Sequence, residues 1–302
     1  MSELFHIVTD GSCDLPVELT KEKDITVVPF YVSFDDKNYM KEIVEIGIRD
    51  FYQQMVDNPK VYPKSSMPSM QDFVDAFTPY AQAGMPVICI CITTKFSGSM
   101  QSAVSARDIV LEDYPDAKIH VIDSRINTVL QGIYTLEALR LREAGTDYET
   151  AIARLEEIRD TGRIFFTVGD MEYLKHGGRI GKVAGVAGSL LGIRPVITLK
   201  QGEIFPSGIG RSRKNTTNKA IELLVNYLKE QTISPDKFSV CIGFGYDRKE
   251  AEEFRERAFA ALKEANLDIK GEIPLYQIGA TISVHTGPYP LGFGVVEKSI
   301  HD

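Results

Sequence analysis

The sequence predicts a two-domain α/β protein, with a parallel sheet in its N-terminal α/β domain and a largely antiparallel sheet in its C-terminal α+β domain. Before residue 160, short apolar strands alternate with helical patterns, as in parallel sheets that are covered by helices on both faces. After residue 161, strand patterns follow one another and include the hairpin signal Gln201-Gly202-Glu203. We therefore place the domains at residues 1–160 and 161–302.

The clearest local signals lie in the N-terminal domain. Ser69 and Asp72 have the spacing of a capping box, which predicts the start of a helix. Residues 87–92 are apolar on both faces, as expected of a central parallel strand. The predicted strands are residues 4–9, 25–34, 87–92 and 118–122, and the predicted helices are residues 16–23, 70–83, 99–112, 128–143 and 147–159.

In the C-terminal domain, residues 183–193 form an apolar run that needs a separate interpretation. Its eleven residues are far short of the ~20 that a membrane-spanning helix requires, so we expect a buried helix of small residues and no stable membrane insertion. The predicted strands are residues 164–168, 195–200, 203–208, 238–244, 273–278 and 293–297, and the other predicted helices are residues 214–230 and 247–265.

The composition excludes several classes of protein. A net charge of −8 over 302 residues and a pI near 5.3 argue against nucleic acid or an anionic membrane as the main partner. The N-terminal residues lack the basic start and apolar core of a signal peptide, so we expect a cytoplasmic protein. The four cysteines form no C-x-x-C pair, and the sequence has no clustered metal ligands, so we expect reduced core thiols and neither metal nor cofactor.

The stretch from residue 86 to 103 is the first candidate for a functional site. A buried strand is followed by several hydroxyl side chains and then by a helix. The backbone N–H groups of Ser97-Gly98-Ser99 lie at the first turn of that helix, where they would be free to bind an oxyanion. Ligands of open α/β sheets bind at this edge of the sheet, so Ser97, Gly98 and Ser99 are candidate ligands.

Three further segments place polar residues at predicted strand ends: T-D-G-S-C-D (residues 9–14), S-S-M-P-S (65–69) and V-H-T-G-P-Y-P (284–290). Together they could hold a carboxylate or phosphate by hydrogen bonds from hydroxyls and from His285. Ser69 is better explained as a helix cap than as a ligand. On spacing alone, His285 is equally consistent with a structural role.

The sequence is also compatible with two other functions. Ser97 and His285, with Asp10 or Asp123 as an orienting acid, could form a serine hydrolase or acyltransferase, but the G-x-S-x-G motif is missing. Arg179, Arg211 and Arg213 belong to basic clusters that could be solvated surface or could dock an acidic or phosphate-bearing partner.

Seven motifs occur in order along nearly the whole chain: I-V-T-D-G-S-C-D-L-P, S-S-M-P-S, F-S-G-S-M-Q-S-A, V-I-D-S, M-E-Y-L-K-H-G-G-R-I-G, R-P-V-I and H-T-G-P. In this combination the chain resembles the DegV family of fatty-acid-binding proteins. The family's two-domain fold, with the lipid between the domains, agrees with the division at residue 160. The resemblance implies a lipid-binding protein with no catalysis of its own.

The resemblance also implies a mechanism. One long-chain fatty acid would bind with its tail in an apolar tunnel and would be presented to a separate dihydroxyacetone-kinase-like subunit, which phosphorylates it to acyl phosphate for phospholipid synthesis. By motif position, the carboxylate ligands would be Ser65, Ser97 and His285, assisted by the N–H groups of Gly98 and Ser99. Arg179 and either Arg211 or Arg213 match positions that dock the kinase.

Three motifs depart from the usual family pattern, and in the first of them T-D-G-S stands where T-D-S is common. Ser65 stands where a threonine is usual, which keeps the hydroxyl and should preserve the carboxylate contact. Met67 replaces a glutamine and so changes a polar wall of the site. Tyr289 and Pro290 follow H-T-G-P in place of a glycine, so we expect the loop after His285 to take another path.

Overall fold

In this computed structural model, which describes residues 4–183, 194–267, 269 and 271–301, strands and helices alternate through the first half of the chain. The elements are β1 (His6–Asp10), α1 (Val17–Glu22), β2 (Ile25–Val28), β3 (Tyr31–Ser33), β4 (Met40–Lys41), α2 (Ile48–Asp57), β5 (Lys64–Ser66), α3 (Met70–Gln82), β6 (Val87–Cys91), α4 (Ser99–Asp113), β7 (Ile119–Asp123), α5 (Thr128–Glu143) and α6 (Tyr148–Arg159). Strands β2, β1, β6 and β7 form a parallel sheet in that order, which confirms the prediction.

The parallel sheet is buried on both faces by helices. On one face, Val8 and Cys89 pack against Phe73 and Phe77 of α3. On the other face, Ile7, Ile88 and Ile90 pack against Leu130 and Ile133 of α5. The apolar character of residues 87–92 is thus explained, because each side of β6 faces a helix layer. Ser69 caps α3 in the predicted capping box with Asp72.

The predicted extended run over residues 25–34 is wrong as a single strand. It divides into β2, which belongs to the parallel sheet, and β3, which pairs antiparallel with β4 and β5 in a separate three-stranded sheet. The break falls at Pro29, which has no N–H to donate to a continuing ladder. Helix α2, which was not predicted, packs Phe51 and Met55 onto Val32 of the small sheet.

The second half of the chain forms a six-stranded sheet. Its elements are β8 (Arg163–Thr167), α7 (Glu172–His176), β9 (Arg194–Lys200), β10 (Glu203–Gly210), α8 (Arg213–Lys229), β11 (Phe238–Phe244), α9 (Arg248–Glu264), β12 (Leu275–Gln277), α10 (Ala280–Thr286) and β13 (Leu291–Glu297). The strand order is β10-β9-β8-β13-β11-β12, and all neighbours are antiparallel except β11 and β12. The largely antiparallel sheet is therefore confirmed.

The hairpin between β9 and β10 forms where the Q-G-E signal placed it. Gln201 and Gly202 have φ values of 51° and 82°, and Lys200 pairs with Glu203. Positive φ at both central residues is the type I′ geometry that matches the twist of a two-residue hairpin. Glycine at 202 adopts that conformation without steric cost.

Helices cover both faces of the six-stranded sheet. Leu224 of α8 and Phe254 of α9 pack with Phe293 of β13 on one face. On the other face, α5 contacts β11 and β13, so that helix serves both sheets. The predicted boundary at residue 160 lies between the end of α6 and the start of β8, and the division into two domains stays a prediction.

The prediction that His285 follows a strand is wrong, because His285 lies in helix α10. Its sequence, A-T-I-S-V-H-T, is rich in β-branched residues that favour strands, but the helix is almost fully buried and contacts α2, α7, β3 and β5. Tertiary packing overrides the local propensity here. The small-residue helix predicted over residues 183–193 lies outside the described residues from 184 onward. No helix in the described ranges is long and apolar enough to cross a membrane.

Candidate functional site

A cavity of about 280 Å³ lies between the parallel sheet and the six-stranded sheet. This volume is near the lower end, roughly 300 Å³, of pockets that bind small molecules. Both halves of the chain line it, and most of the lining is apolar, including Phe30, Ile92, Phe166, Leu199, Ile204 and Phe293. The cavity is therefore suited to a hydrocarbon chain.

Ser65, Ser97 and His285 lie beside the solvent-exposed residues of the cavity lining. Among the lining residues, Ser66, Met67, Gly98 and Arg179 are exposed to solvent, whereas the residues from β8, β9 and β13 are mostly buried. We call these four exposed residues the mouth. A ligand would accordingly bind with its apolar part inside and its polar part at the mouth.

Ser65 and His285 come together just inside the mouth, although they are 220 positions apart. The Ser65 hydroxyl lies 3.3 Å from Nε2 of His285. Ser65 lies within β5, where it pairs with Val32, and not after a strand as predicted. His285 lies in the last turn of α10. The small sheet and this buried helix thus position the two side chains.

Ser97 and Gly98 line the same end of the cavity. Helix α4 begins at Ser99, so the predicted strand, loop and helix order is present. The Ser97 hydroxyl accepts the N–H of Ser99 at 3.1 Å. This contact holds the Ser97 side chain at the first turn of the helix, where it faces the ligand space beside Gly98.

Ser99 does not fit its predicted place as a carboxylate ligand. Its N–H already binds the hydroxyl of Ser97, and its own hydroxyl donates to Asp10 at 2.7 Å. The side chain is fully buried and is not part of the cavity lining. Ser99 therefore supports the position of Ser97 and is removed from the set of candidate ligands.

The T-D-G-S-C-D segment also faces the protein interior, contrary to the prediction that it contributes hydroxyls to the site. Asp10 accepts the N–H of Ile92 at 2.9 Å and the side chain of Gln131 at 2.8 Å, and the Ser12 hydroxyl lies 3.1 Å from it. Burial raises the pKa of Asp10, while these donors and Ser99 oppose that rise. The segment is a structural network that joins the ends of β1 and β6.

His285 is electrically neutral near pH 7. Burial lowers the pKa of His285 to about 4, and the positive charge of Arg179 adds to that effect. Its Nδ1 atom lies against the backbone of Gly177 and, in the described part of the chain, makes no hydrogen bond of acceptable geometry. The imidazole therefore acts as a neutral hydrogen-bonding group unless a bound anion raises its pKa.

Gly177 makes room for the His285 ring, a role that the sequence reasoning missed. A Cβ atom at residue 177 would collide with Nδ1 of His285. The φ of Gly177 is −75°, which any residue adopts, so it is space that requires glycine here. The M-E-Y-L-K-H-G-G-R-I-G motif thus contacts the H-T-G-P motif directly.

Arg179 joins the two halves of the chain at the mouth. Its Nε and Nη2 atoms donate to the carbonyl of Phe96 at 3.1 and 2.9 Å, and Nη1 donates to the carbonyl of Gly177 at 2.8 Å. Arg179 therefore ties the loop that carries Ser97 to the loop beside His285. Its side chain is exposed and lies at the opening of the cavity.

The other two candidate docking arginines differ from each other. Arg213 forms a two-point ion pair with Glu250, at 2.7 and 2.9 Å, and is half-buried. Arg211 is exposed in the turn before α8. Of these two, Arg211 is the one whose guanidinium is available to a partner.

Two buried carboxyl groups lie behind the site and were not singled out from the sequence. Asp14 accepts the hydroxyl of Thr128 at 2.5 Å, and Glu42 accepts the N–H of Thr281 at 2.9 Å. Both threonines line the cavity. Burial raises the pKa of Glu42 to about 7 and raises that of Asp14 well above its usual range. The sequence shows that residues 10, 14 and 42 are acidic, but only the fold shows that they lie close together.

The site does not have the geometry of a catalytic triad. In the described ranges, no hydrogen bond or ion pair joins a carboxylate to His285, and the hydroxyl nearest its Nε2 belongs to Ser65 instead of Ser97. Asp10 already accepts hydrogen bonds from Ile92, Gln131 and Ser99. Asp123 accepts the hydroxyl of Thr94 at 2.7 Å and the N–H of Arg125 at 2.8 Å. The described residues also contain no group of three or more His, Cys, Asp or Glu side chains that could hold a metal ion.

Fold and site together define a class: a binding protein for an amphipathic molecule, with an apolar chamber between two sheets and hydrogen-bonding groups at its mouth. A family model described as "Uncharacterised protein, DegV family" matches residues 4–298. The chain therefore belongs to the DegV family, as its motifs indicated.

Relatives and solved structures agree with this assignment. A DegV domain-containing protein of Clostridium perfringens is 31% identical over 293 residues, which cover 97% of this chain and 99% of the relative. A stearic-acid-binding protein from Eubacterium ventriosum is 44% identical, with a TM-score of 0.92 and coverage of 98% and 99%. A fatty-acid-binding DegV family protein from Thermus thermophilus is 27% identical, with a TM-score of 0.86 and coverage of 98% and 100%.

Proposed function

We propose that this protein binds a single long-chain fatty acid, with its tail in the cavity and its carboxylate at Ser65, Ser97, His285 and the N–H of Gly98. The observation that carries the proposal is that Ser65, Ser97, Gly98 and His285 lie at the exposed end of a cavity whose lining is mostly apolar. The stearic acid bound by the Eubacterium ventriosum protein, at 44% identity, supports the same ligand class.

The tail would supply most of the binding free energy. At about 0.8 kcal/mol per buried methylene, a tail of ~14 methylenes contributes on the order of 11 kcal/mol before the cost of immobilising the ligand. The hydroxyls and neutral imidazole then orient the carboxylate without enclosing it in an ion pair. A carboxylate that lies at the mouth in this way stays accessible to a second protein.

The head-group assignment is tested by comparing a fatty acid with the alcohol of the same chain. Ser65→Ala and Ser97→Ala should each weaken oleate binding by about tenfold or more, because a hydrogen bond to a charged group contributes roughly 1.5–3 kcal/mol. Binding of oleyl alcohol should change much less. Thr94→Ala is the control, because that hydroxyl binds Asp123 away from the cavity. Equal losses for acid and alcohol would contradict the assignment.

The alternative of a serine hydrolase or acyltransferase has less support. Catalysis of this kind needs a carboxylate that orients His285 and a hydrogen bond between Ser97 and the imidazole. Asp10 and Asp123 instead accept hydrogen bonds from other donors. Turnover of an activated acyl ester that disappears in Ser97→Ala would favour catalysis. We expect no turnover by either protein.

We further propose that the bound fatty acid is presented to a dihydroxyacetone-kinase-like subunit in the cytoplasm, where it is phosphorylated to acyl phosphate for phospholipid synthesis. The exposed mouth supports this role, and exposed Arg179 and Arg211 are candidate docking residues. Arg213 is left out because Glu250 holds it.

The docking role is tested with Arg211→Ala, since Arg211 lies outside the cavity lining. The variant should bind oleate normally but should support acyl-phosphate formation with a raised KM for the loaded protein. Lys229→Ala, at the far end of α8, is the matched control. An unchanged KM would contradict docking through Arg211.

A further inference from the structure

The mouth contains one large apolar side chain that is exposed. Met67 lines the cavity, yet 46% of its surface is accessible to solvent. It follows β5, two residues after Ser65, and precedes the capped start of α3. An apolar side chain at the polar end of the chamber is not needed to hold a carboxylate, so it calls for another explanation.

The Met67 side chain extends from β5 to the loop that carries Ser97. A methyl group at Gly98 would lie 2.8 Å from the Met67 sulfur and 3.5 Å from its terminal carbon. The φ of Gly98 is −82°, which is ordinary for any residue, so the backbone does not require glycine. Glycine at 98 instead leaves the space in which the thioether lies against the backbone.

We propose that the Met67 side chain is a movable cover over the fatty-acid head group and that it packs against Gly98 when the site is closed. The inference rests on the proposed fatty-acid site. In its closed position the cover spans the gap between the strand that bears Ser65 and the turn that bears Ser97, and so shields the carboxylate from water. In its open position it leaves the carboxylate accessible to a second protein. Methionine is unbranched and has three rotatable side-chain bonds, so it can swing outward to admit or release ligand while the backbone stays in place.

The cover controls ligand exchange and acts through its contact with Gly98. Removing the thioether in Met67→Ala opens the mouth directly. Adding a methyl group in Gly98→Ala displaces the flexible end of Met67, which is the cheapest way to relieve the close contact. Both changes should raise the dissociation rate of a bound fatty acid by at least about fivefold, since changes at a binding surface act mainly on dissociation.

The experiment measures the release of oleate from the loaded full-length protein into excess serum albumin. Wild type, Met67→Ala, Gly98→Ala and the double variant are compared. The double variant should release oleate no faster than Met67→Ala alone, because without the thioether the added methyl has nothing to displace. Met70→Ala is the control, since Met70 is similarly exposed, at 43%, but does not line the cavity.

The outcomes separate the cover from the fatty-acid site. Oleate uptake by wild type with unchanged release from both single variants would overturn the cover alone. Effects that multiply in the double variant would also overturn it, because Gly98 would then act independently of Met67. Failure of wild type to take up oleate would overturn the proposed function and the cover with it. If Gly98→Ala does not fold, release from Met67→Ala at the rate of Met70→Ala still overturns the cover.

Discussion

At the scale of single residues, the site depends on a glycine as much as on its polar groups. The His285 ring occupies the space that a side chain at residue 177 would fill. Its neighbour Gly178 differs, because it has a φ of 67° and, among the described residues, no atom lies close to where a Cβ would be. Gly177 is therefore needed because of the limited space beside the imidazole, and Gly178 because of its backbone conformation. Substitutions at the two positions can distinguish these roles.

Gly177→Ala should weaken oleate binding by about tenfold or more, because the displaced imidazole loses its hydrogen bond to the carboxylate. Gly178→Ala should instead lower stability by about 1 kcal/mol through left-handed backbone strain and leave affinity unchanged. Isothermal titration with oleate and urea unfolding of both variants measure the two effects. Full affinity in a folded Gly177→Ala protein would contradict the position of His285.

Family motifs predicted some of the site residues, whereas others could not be found from the sequence. Motif positions named Ser65, Ser97 and His285, and all three line the cavity. For Ser99 the sequence predicts a free N–H at the helix start, whereas in the structure the Ser97 hydroxyl accepts that N–H. Gly177 could not be found from one sequence, because only the fold brings it against a ring more than a hundred residues away.

At the scale of elements, helix α10 connects the proposed head-group site to a buried acidic pair. Thr281, one turn before His285, lines the cavity and donates its N–H to Glu42. Asp14 lies near Glu42 and is held by Thr128 at the start of α5. One oxygen of each carboxyl has no hydrogen-bond partner among the described residues, so full ionisation of both groups would be costly.

Glu42 should make the protein less stable as pH rises. Its pKa in the folded state is raised to about 7, so its contribution to stability is complete below the unfolded value near 4.5 and is lost as pH rises through 7. Glu42→Gln keeps an oxygen for the Thr281 N–H and does not ionise. Relative to wild type, this variant should therefore gain stability between pH 5 and 8, on the order of 2–3 kcal/mol.

Urea unfolding of wild type and Glu42→Gln at pH 5 and at pH 8 measures this difference. Glu18→Gln, an exposed residue of α1, is the matched control and should follow wild type at both pH values. Parallel pH profiles for wild type and Glu42→Gln would show that Glu42 titrates normally in the folded protein.

Elements with strong local signals were predicted within a few residues. The capping box of α3, the Q-G-E hairpin and the apolar strand β6 each follow from chemistry that acts within a short stretch. Helix α10 and the break at Pro29 were missed because neighbouring elements, not local propensity, decide them. The same limit explains why Ser65 was placed at a strand end instead of within β5.

At the scale of the whole molecule, the arrangement of two sheets determines what the protein can bind. Neither sheet encloses the cavity alone, and the opening forms where β5, the start of α4 and the loop after α7 meet. The sequence predicted both sheets, and the resemblance to the DegV family implied a ligand between them. It could not predict the cavity's size or which end opens, because both depend on distances between segments far apart in the chain.

Fatty-acid binding is tested most directly by measuring what the protein carries. Purified protein should release one long-chain fatty acid per chain on denaturing extraction, as quantified by mass spectrometry. After delipidation, it should take up one oleate per chain in native mass spectrometry. A purified protein that yields no fatty acid, and whose folded, delipidated form takes up none, would contradict the proposed function.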